Sequence, residues 1–325
     1  MSLKNKPGIL VSSISAKVSI VGLVRVALER VFENDAYVLW GADASPLCVA
    51  KMFVDKFWQM PLLSELSIES FIEFCLANNI QYVIPSRDGE LTFYARNRDV
   101  LGDKGIYVMV SPFESITTCV DKALFSECLK KDVGHFIETS NNLEDISSEV
   151  ITVKPQHGSG SKGLGIALTR EEALVFSQSI KDPIFQQHIV GREFSADLFV
   201  NNAGISIGPV LRWRDLVVDG ESKITTTFRN ESVEAKTNEL AVKLGLYGHA
   251  VVQGFITDEG ELFFIEVNCR IGGASYLGFE AGLKSIDWFL LESLNKSVEY
   301  DFQYPKTALR LVRYAKDEVY ELGDE

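Results

Sequence analysis

Two segments of this chain, residues 153–163 and 264–270, contain the side chains best suited to chemistry. In the first segment (VKPQHGSGSKG), the cation Lys154 directly precedes a glycine-rich loop. The second segment (FIEVNCR) contains a carboxylate, an amide and a guanidinium, on Glu266, Asn268 and Arg270. Cations and glycine-loop amides bind phosphate oxygens, and carboxylate oxygens bind hard divalent cations. The two segments together therefore predict a site for a nucleoside triphosphate and its metal ion.

The spacing of the loop glycines separates several kinds of phosphate-binding loop. Residues 158–163 read G-x-G-x-x-G, but a dinucleotide fingerprint needs a helix after the third glycine, and residues 164–168 (LGIAL) read as a strand. The pattern G-x-x-x-x-G-K-[ST] does not fit either. A glycine-rich turn between antiparallel strands remains, with donors on Ser159, Ser161 and Lys162. It is interpreted either as a phosphate-binding loop or as a flexible hairpin tip.

The second segment favours the phosphate-binding interpretation. Glu266 and Asn268 are two residues apart on a predicted strand, so their side chains share a face, as does that of Arg270 if the strand continues. Gln253, on the neighbouring strand of the predicted hairpin, could supply a further oxygen. Such a set suits Mg²⁺ bound partly through phosphate oxygens, and Arg neutralises a transferred phosphoryl group. The alternative is a surface ion pair with a cross-strand polar contact.

The N-terminal part alternates short β-rich runs with helical patterns, which predicts a mostly parallel, doubly wound α/β sheet. Strands are predicted at residues 9–13, 37–41, 82–85 and 106–110. Ligands approach the carboxyl ends of such strands, and Arg87 and Asp88 lie at one of these ends. Their alternative role is at a helix N-terminus, where the macrodipole favours an acidic residue.

Composition limits the possible partners and compartments. The formal net charge of −13 argues against general affinity for nucleic acid or anionic membranes, because both depend on an excess of Lys and Arg. No apolar run approaches the roughly 18 residues of a membrane-spanning helix. The five cysteines show no C-x-x-C spacing, which indicates reduced thiols. We therefore expect a folded cytoplasmic protein that binds neither nucleic acid nor membrane.

The order of several motifs resembles the ATP-grasp superfamily, and more narrowly small proteins similar to one half of a carbamoyl-phosphate synthase large chain. The motifs are DK at 121–122, VKP at 153–155, the glycine loop, QQHIVGRE at 186–193, VQGF at 252–255 and IEVNCRIGG at 265–273. The resemblance covers nearly the whole chain. It implies an N-terminal pre-ATP-grasp domain (1–118) and two α+β subdomains of the grasp, residues 119–190 and 191–325.

The resemblance implies ATP and Mg²⁺, with Mn²⁺ as an alternative, and it assigns a role to each matching residue. Lys122 and Lys154 would hold the α- and β-phosphates, under a mobile lid containing Gly158, Ser159, Gly160, Ser161 and Gly163. Adenine and ribose would be bound by Gln186, Gln187, the backbone of Ile189, and Glu193. The metal ligands would be Gln253, Glu266 and Asn268. Arg270, facing the γ-phosphate and the acyl phosphate, would act in catalysis together with Lys154.

Three positions depart from the family pattern. Gln253 is neutral where many members have an acid, which predicts weaker metal affinity or more reliance on the nucleotide. Gln187 replaces the commoner Glu at the adenine edge, and an amide can still donate and accept there. Cys269 stands where proline is usual.

The implied activity is that of a ligase, which activates a carboxylate as an acyl phosphate for attack by an amine. Its partners would be a small-molecule carboxylate and amine, bound by Arg87, Asp88, Arg212, Arg214, Arg229 and Gly273. Arg212 and Arg214 flank Trp213 on one predicted strand face, where guanidinium groups bind carboxylate or phosphate in a bidentate manner. The alternative for them is a solvated hairpin edge. A kinase-type phosphotransferase and a catalytically silent ATP-binding regulator stay open, as does the choice between monomer and homodimer.

Overall fold

A computed structural model describes residues 6–33, 36–130, 136–158, 160 and 163–320. These residues form three sheets, of five, four and six strands. The fold agrees with the predicted class, a parallel N-terminal α/β sheet followed by two α+β regions with antiparallel sheets.

The N-terminal sheet has the strand order β3-β2-β1-β4-β5, and all its neighbouring strands are parallel. Its strands are β1 (Gly8–Ser12), β2 (Val38–Asp43), β3 (Lys56–Gln59), β4 (Ile80–Pro85) and β5 (Tyr107–Val108). Its helices are α1 (Val18–Val31), α2 (Ile68–Ala77), α3 (Asp88–Arg96) and α4 (Arg98–Gly102), with a 3₁₀ helix at Val49–Phe53. The strand order reverses between β1 and β4, because the chain first adds strands on one side of β1 and then on the other. Such a switch point opens a crevice at the carboxyl ends of the two strands.

The four-stranded sheet carries the glycine loop. Helices α5 (Phe113–Val120) and α6 (Lys122–Leu129) lead into it, and α5 runs through the predicted boundary at residue 118. Its strands are β6 (Thr139–Ser140), β7 (Ile151–Pro155), β8 (Gly165–Leu168) and β9 (Pro183–Gln187), all antiparallel, with a 3₁₀ helix at Leu143–Asp145. The loop connects β7 to β8, as the sequence predicts. Helix α7 (Arg170–Ser177) follows, capped reciprocally by Thr169 and Glu172.

The six-stranded antiparallel sheet has the order β14-β13-β10-β11-β12-β15. Its strands are β10 (Arg192–Val200), β11 (Ser206–Val218), β12 (Glu221–Thr227), β13 (Gly248–Ile256), β14 (Leu262–Asn268) and β15 (Arg310–Val312). Its helices are α8 (Glu231–Lys243), α9 (Tyr276–Glu280) and α10 (Ser285–Ser293). The edge strand β15 was not predicted, because three residues are too few to display an alternating pattern.

Buried side chains join the N-terminal sheet to the six-stranded sheet. One cluster contains Phe71 of α2 together with Phe194 and Phe264 of the six-stranded sheet, all almost fully buried. A second cluster contains Leu28 of α1 and Trp288 of α10. Burial of each such side chain contributes roughly 1.5–3 kcal/mol. The shared core holds the carboxyl ends of β1 and β4 against the six-stranded sheet.

The helices in the described ranges are short. The longest, α1, has 14 residues, and none is both long and apolar enough to cross a bilayer.

Candidate functional site

The two segments singled out in the sequence line one cleft. Lys154, at the end of β7, and Glu266, on β14, both line a cleft of about 450 Å³ between the four-stranded and six-stranded sheets. Their charges interact, because Glu266 raises the pKa of Lys154 against the effect of burial. The fold therefore brings the predicted phosphate-binding cation and the predicted metal-binding carboxylate together.

Two lysines line this cleft beside the glycine loop. Burial, with a smaller effect from Lys122, lowers the pKa of Lys154 to about 8 despite the opposing charge of Glu266. Burial also lowers the pKa of Lys122. The ammonium group of Lys122 donates to the carbonyl of Gly158 at 2.9 Å and thereby holds the start of the glycine loop. Both lysines would be stabilised in their charged form by a bound anion.

The glycine loop needs glycine for conformational reasons. Gly158, Gly160 and Gly163 have φ of 132°, 73° and 69°, a region that other residues rarely adopt. Gly158 and Gly160 line the cleft. Gly163 lies at the end of the loop, where an added Cβ would come within 2.9 Å of Ile180. The predicted contacts Ser159 and Ser161, and also Lys162, lie outside the described residues.

Another part of the cleft wall is apolar with a polar edge. Ile189, Phe255 and Ile265 line it and pack together, and Gln187 lies beside them. The side-chain amide of Gln186 donates to Thr139 Oγ1 at 2.7 Å. This bond uses one N–H of the buried Gln186 amide. A ligand could therefore contact only the other groups of this residue.

Glu193 and Arg214 form a bridge across the cleft wall. Arg214 Nε lies 2.9 Å from Glu193 Oε1, and Arg214 Nη2 donates to the carbonyl of Gly220 at 3.0 Å. Burial raises the pKa of Glu193, with Arg214 opposing that effect. Arg214 thus ties the predicted ribose-binding residue to the tip of the β11–β12 hairpin.

The predicted metal ligands lie side by side on adjacent strands. Gln253 of β13 pairs in register with Glu266 of β14, and Asn268 donates to Glu266 Oε1 at 3.1 Å. In the described part of the chain, no three His, Cys, Asp or Glu side chains cluster in a way that could hold a metal ion. One carboxylate with two amide oxygens fits Mg²⁺, which binds proteins through few ligands when phosphate oxygens complete its shell.

Arg270 contacts the N-terminal sheet. Strand β14 ends at Asn268, so Arg270 no longer follows strand geometry, but Arg270 Nη2 remains 3.5 Å from Asn268 Oδ1. The same nitrogen donates to Asp88 Oδ2 at 2.5 Å. Arg270 Nε is buried and has no hydrogen-bond partner among the described residues. One donor of this guanidinium is therefore left for a ligand.

A second cleft of about 400 Å³ adjoins the first. The carboxyl ends of β1 and β4 form one wall, and the six-stranded sheet forms the other. The predicted substrate residues that line it are Arg87, Asp88, Arg212, Arg214 and Gly273. The residues that line both clefts are Gly160, Arg214, Gly220, Gln253 and Glu266. The two clefts therefore meet beside the candidate metal ligands.

One predicted substrate residue is placed elsewhere. Arg229 lies outside both clefts, donates to both carboxylate oxygens of Glu234 and stacks 3.5 Å from the Tyr304 ring. The structure therefore does not bring Arg229 to either cleft with the other predicted substrate residues, because Arg229 follows β12 in the connection to α8.

Arg212 is more deeply buried than a hairpin edge allows. It is 2% exposed, and its Nε donates to Asp197 Oδ2 at 2.6 Å. Burial alone would raise the pKa of Asp197, but Arg212 and His249 outweigh burial and hold that pKa well below its usual range. The solvated-edge alternative for Arg212 is therefore wrong, and this side chain combines a structural ion pair with a place in the cleft wall.

Two cations of the second cleft were missed in the sequence. Lys17 donates to the carbonyls of Ser13 and Ser86 at 2.9 and 2.7 Å, which ties together the ends of β1 and β4. Burial lowers its pKa to about 8. The rule that ligands approach strand ends could have identified Lys17. Arg313 follows the unpredicted strand β15, and no local signal marks it.

Comparison with known proteins identifies two families along the chain. Residues 119–274 match the family model of the ATP-grasp domain, and residues 9–109 match that of the PylC-like N-terminal domain. The chain is 27% identical over 190 residues to the D-alanine–D-alanine ligase of Fusobacterium nucleatum. It is 29% identical over 211 residues to the carbamoyl phosphate synthase large chain of Clostridium beijerinckii. These alignments cover 54% and 58% of this chain but only 63% and 20% of the relatives, less than two thirds of either.

Solved structures share the fold at low sequence identity. The biotin carboxylase domain of Hydrogenobacter thermophilus 2-oxoglutarate carboxylase, in complex with MgADP, ADP and bicarbonate, has a TM-score of 0.71 at 15% identity over 90% of this chain and 71% of that chain. N5-carboxyaminoimidazole synthetase from Staphylococcus aureus, with ADP, has a TM-score of 0.68 at 15% identity over 91% and 80% of the two chains. These likenesses show the fold, and the family models confirm the resemblance found in the sequence. The chain belongs to the ATP-grasp superfamily, with a PylC-like domain preceding its ATP-grasp domain.

Proposed function

We propose that this protein is an ATP- and Mg²⁺-dependent ligase that activates a small carboxylate as an acyl phosphate and joins it to an amine. The observation that carries the proposal is the shared edge of the two clefts, where Arg214, Gln253 and Glu266 line both. A nucleotide in the first cleft and a carboxylate in the second would meet there. Phosphoryl transfer needs such a meeting point, because it depends on positioning and charge neutralisation.

Each part of the nucleotide has a candidate contact in the first cleft. The apolar part of the wall would accommodate adenine, with Gln187 and the backbone of Ile189 at the edge of the base. Glu193 would accept hydrogen bonds from the ribose hydroxyls, and these bonds would replace its contact with Arg214. The phosphates would be bound by Lys122, Lys154, Gly158 and Gly160.

The metal ion would be held by Gln253, Glu266 and Asn268. This donor set supports Mg²⁺, because one carboxylate and two amide oxygens leave coordination positions for phosphate oxygens and water. When bound, Mg²⁺ neutralises charge on the β- and γ-phosphates during transfer. The two D-alanine units named for the Fusobacterium relative further support a carboxylate and an amine as substrates here.

The proposed reaction has two steps. In the first, a carboxylate oxygen attacks the γ-phosphorus, a new P–O bond forms, and the bond to the β-phosphate oxygen breaks to release ADP. The unpartnered Nε of Arg270 and the ammonium group of Lys154 would bind the negatively charged oxygens of the transferred phosphoryl group. In the second step the amine nitrogen attacks the acyl carbon, the bond to phosphate breaks, and the nitrogen loses its proton to the departing phosphate or to water.

A product screen tests this proposal. The protein is incubated with ATP, Mg²⁺ and a panel of amino acids and short peptides, with Mn²⁺ in a parallel arm, and products are measured by mass spectrometry. We expect equal amounts of ADP, phosphate and a new amide. A stable phosphorylated product formed without an amine would instead indicate a kinase. ATP binding without ADP release across the panel would indicate a regulator, and either result would contradict the ligase.

A further inference from the structure

The second cleft concentrates positive charge in a protein that is acidic overall. The chain has a formal net charge of −13, yet six cationic side chains and three carboxylates line this cleft. The cations are Lys17, Arg87, Arg212, Arg214, Arg270 and Arg313, and the carboxylates are Asp88, Glu221 and Glu266. Such a local concentration of positive charge favours an anionic ligand.

Buried donors in this cleft lack acceptors. Arg212 Nη1 and Ser222 Oγ have no hydrogen-bond partner among the described residues, although these residues are only 2% and 3% exposed. The ion pair with Asp197 uses Arg212 Nε and leaves Nη1 unmatched. An unmatched buried donor is costly to the fold. Its presence in a cleft wall therefore points to an acceptor supplied by a ligand.

The Gly272–Gly273 loop is connected to Arg212 and adjoins Arg313. Asp197 accepts from both Arg212 and Ser275, and Ser275 Oγ in turn accepts from the Gly272 amide at 2.9 Å. A Cβ added to Gly273 would lie 3.2 Å from Arg313 Nη1. Glycine at 273 thus leaves room for a ligand beside the guanidinium group of Arg313.

Arg313 is also joined to the hairpin that carries Ser222. Arg313 Nη1 donates to Glu221 Oε2 at 3.1 Å and lies 3.5 Å from the carbonyl of Ser222. The Glu221 side chain is 53% exposed, so a ligand carboxylate or phosphate could replace it at low cost. Ser19 and Ile20, in the first turn of α1, line the same cleft and add the partial positive charge of a helix N-terminus.

These groups lie away from the edge where transfer would occur. Arg212, Ser222 and Arg313 line the second cleft but are not among the described residues lining the nucleotide cleft. A carboxylate that reacts with ATP must lie at the shared edge, beside Gln253 and Glu266. It would therefore leave Arg212 Nη1 and Ser222 Oγ unmatched, unless the same molecule carried another acidic group.

Building on the function proposed above, we propose that the carboxylate substrate is a dianion. Its reacting carboxylate lies at the shared edge, and its second acidic group, a carboxylate or a phosphate, binds between Arg212, Ser222 and Arg313. Bidentate guanidinium contacts favour both kinds of group over a neutral amide or hydroxyl.

A matched substrate panel tests the dianion. Hydroxylamine serves as the amine, because it traps acyl phosphates as hydroxamates whichever amine the protein normally uses. One arm compares succinate with succinamate, L-aspartate with L-asparagine and L-glutamate with L-glutamine; a second arm compares O-phospho-L-serine with L-serine. We expect at least one substrate with two acidic groups to exceed, in kcat/KM by about tenfold or more, the counterpart whose second group is uncharged. The arm in which it occurs identifies the second group as carboxylate or phosphate.

Binding of MgADP, measured separately by calorimetry, distinguishes the two proposals. Absence of MgADP binding would contradict the ligase itself. Normal MgADP binding, with no dianion preferred over its counterpart, would contradict the proposal of a dianionic substrate but would not contradict the proposed ligase activity.

Two variants test the residues without disturbing the buried Arg212–Asp197 pair. Arg313→Gln and Ser222→Ala should each reduce the preference for the dianion by about tenfold. Arg310→Gln is the matched control, because Arg310 lies on β15, three residues before Arg313, and donates to Thr226 Oγ1 at 2.8 Å. An equal loss with Arg310→Gln, or no loss with Arg313→Gln and Ser222→Ala, would contradict recognition by these residues.

Discussion

Arg270 and Asp88 form an ion pair that links the ATP-grasp domain to the N-terminal sheet. They are 182 positions apart in the chain, and Arg270 Nη2 donates to Asp88 Oδ2 at 2.5 Å. Both side chains are largely shielded from solvent, at 18% and 22% exposure. Asp88 therefore orients the guanidinium that, in the proposed function, would contact the transferred phosphoryl group.

Removing this orientation should slow turnover more than it weakens nucleotide binding. Asp88→Asn keeps the shape of the side chain but removes its charge, and we expect kcat for ADP release to fall by about 10- to 100-fold. The Kd for MgADP should change by less than about threefold, since no nucleotide contact is lost. The control is Asp55→Asn. This change weakens the ion pair between Arg25 Nη2 and Asp55 Oδ1, which are 2.8 Å apart and line neither cleft. Unchanged turnover in Asp88→Asn would show that Asp88 does not position Arg270.

The single carboxylate among the candidate metal ligands should be essential. We expect Glu266→Gln to lower ADP release by roughly 100-fold or more, because charge stabilisation by a metal ion is worth several kcal/mol. Binding of ADP without Mg²⁺ should persist, while the added affinity that Mg²⁺ provides should be lost. Glu261→Gln, an exposed change just before β14, should have no such effect. Near-normal turnover in Glu266→Gln would contradict the assigned metal site.

Nucleotide affinity should depend on the charge of Lys154. Its pKa is about 8 in the free protein, lowered by burial from 10.5, and a bound phosphate would raise it again. Below pH 8 the lysine is already charged, whereas above pH 8 binding must take up a proton. The Kd for MgADP should therefore rise with pH above 8, by up to about tenfold per pH unit.

Calorimetry at pH 7 and 9, in two buffers of different ionisation enthalpy, would detect both the weaker binding and the proton uptake. In Lys154→Arg the pH dependence should become shallower, because a guanidinium stays charged over this range. Equal affinities of the original protein at pH 7 and pH 9 would exclude this mechanism.

The buried pair of Arg212 and Asp197 should control stability. Asp197 is fully buried, so Arg212→Met leaves a charge without its main partner, and we expect a loss of about 3–5 kcal/mol in the free energy of unfolding. Chemical denaturation measures this loss. Asp197→Asn added to Arg212→Met should recover part of it. Lys236→Met, which breaks an exposed pair with Glu239, should cost less than about 1 kcal/mol. If the two changes lowered the free energy of unfolding by similar amounts, burial of the Arg212–Asp197 pair would have no energetic consequence.

Predictions based on local spacing agreed with the structure. Residues 164–168 read as a strand, and β8 begins at Gly165, which made the glycine loop a hairpin connection. Glu266 and Asn268, two apart on one strand, do lie on one cleft wall. In each case the deciding interactions span a few residues, so the sequence contains them.

Predictions that required distant contacts were incomplete. Arg229 belongs by spacing to the basic hairpin, but its ion pair with Glu234 turns it away from the cleft. Arg212 was predicted either to bind substrate or to lie on a solvated hairpin edge, and the sequence did not show that Asp197, on the adjacent strand, makes its burial tolerable. Arg313 reaches the second cleft because β15, which directly precedes it, pairs with β12. Pairing across such distances leaves no periodic signal in the chain.

The sequence by itself determined the ATP-grasp family, the parallel N-terminal sheet and the residue types of the candidate nucleotide site, because those depend on periodicity and short motifs. Only the tertiary structure decided that two clefts share an edge, that Asp88 holds Arg270, and that Lys17 and Arg313 complete the second cleft. These features arise where packed sheets meet, and the free energy of that packing comes from buried side chains scattered along the whole chain.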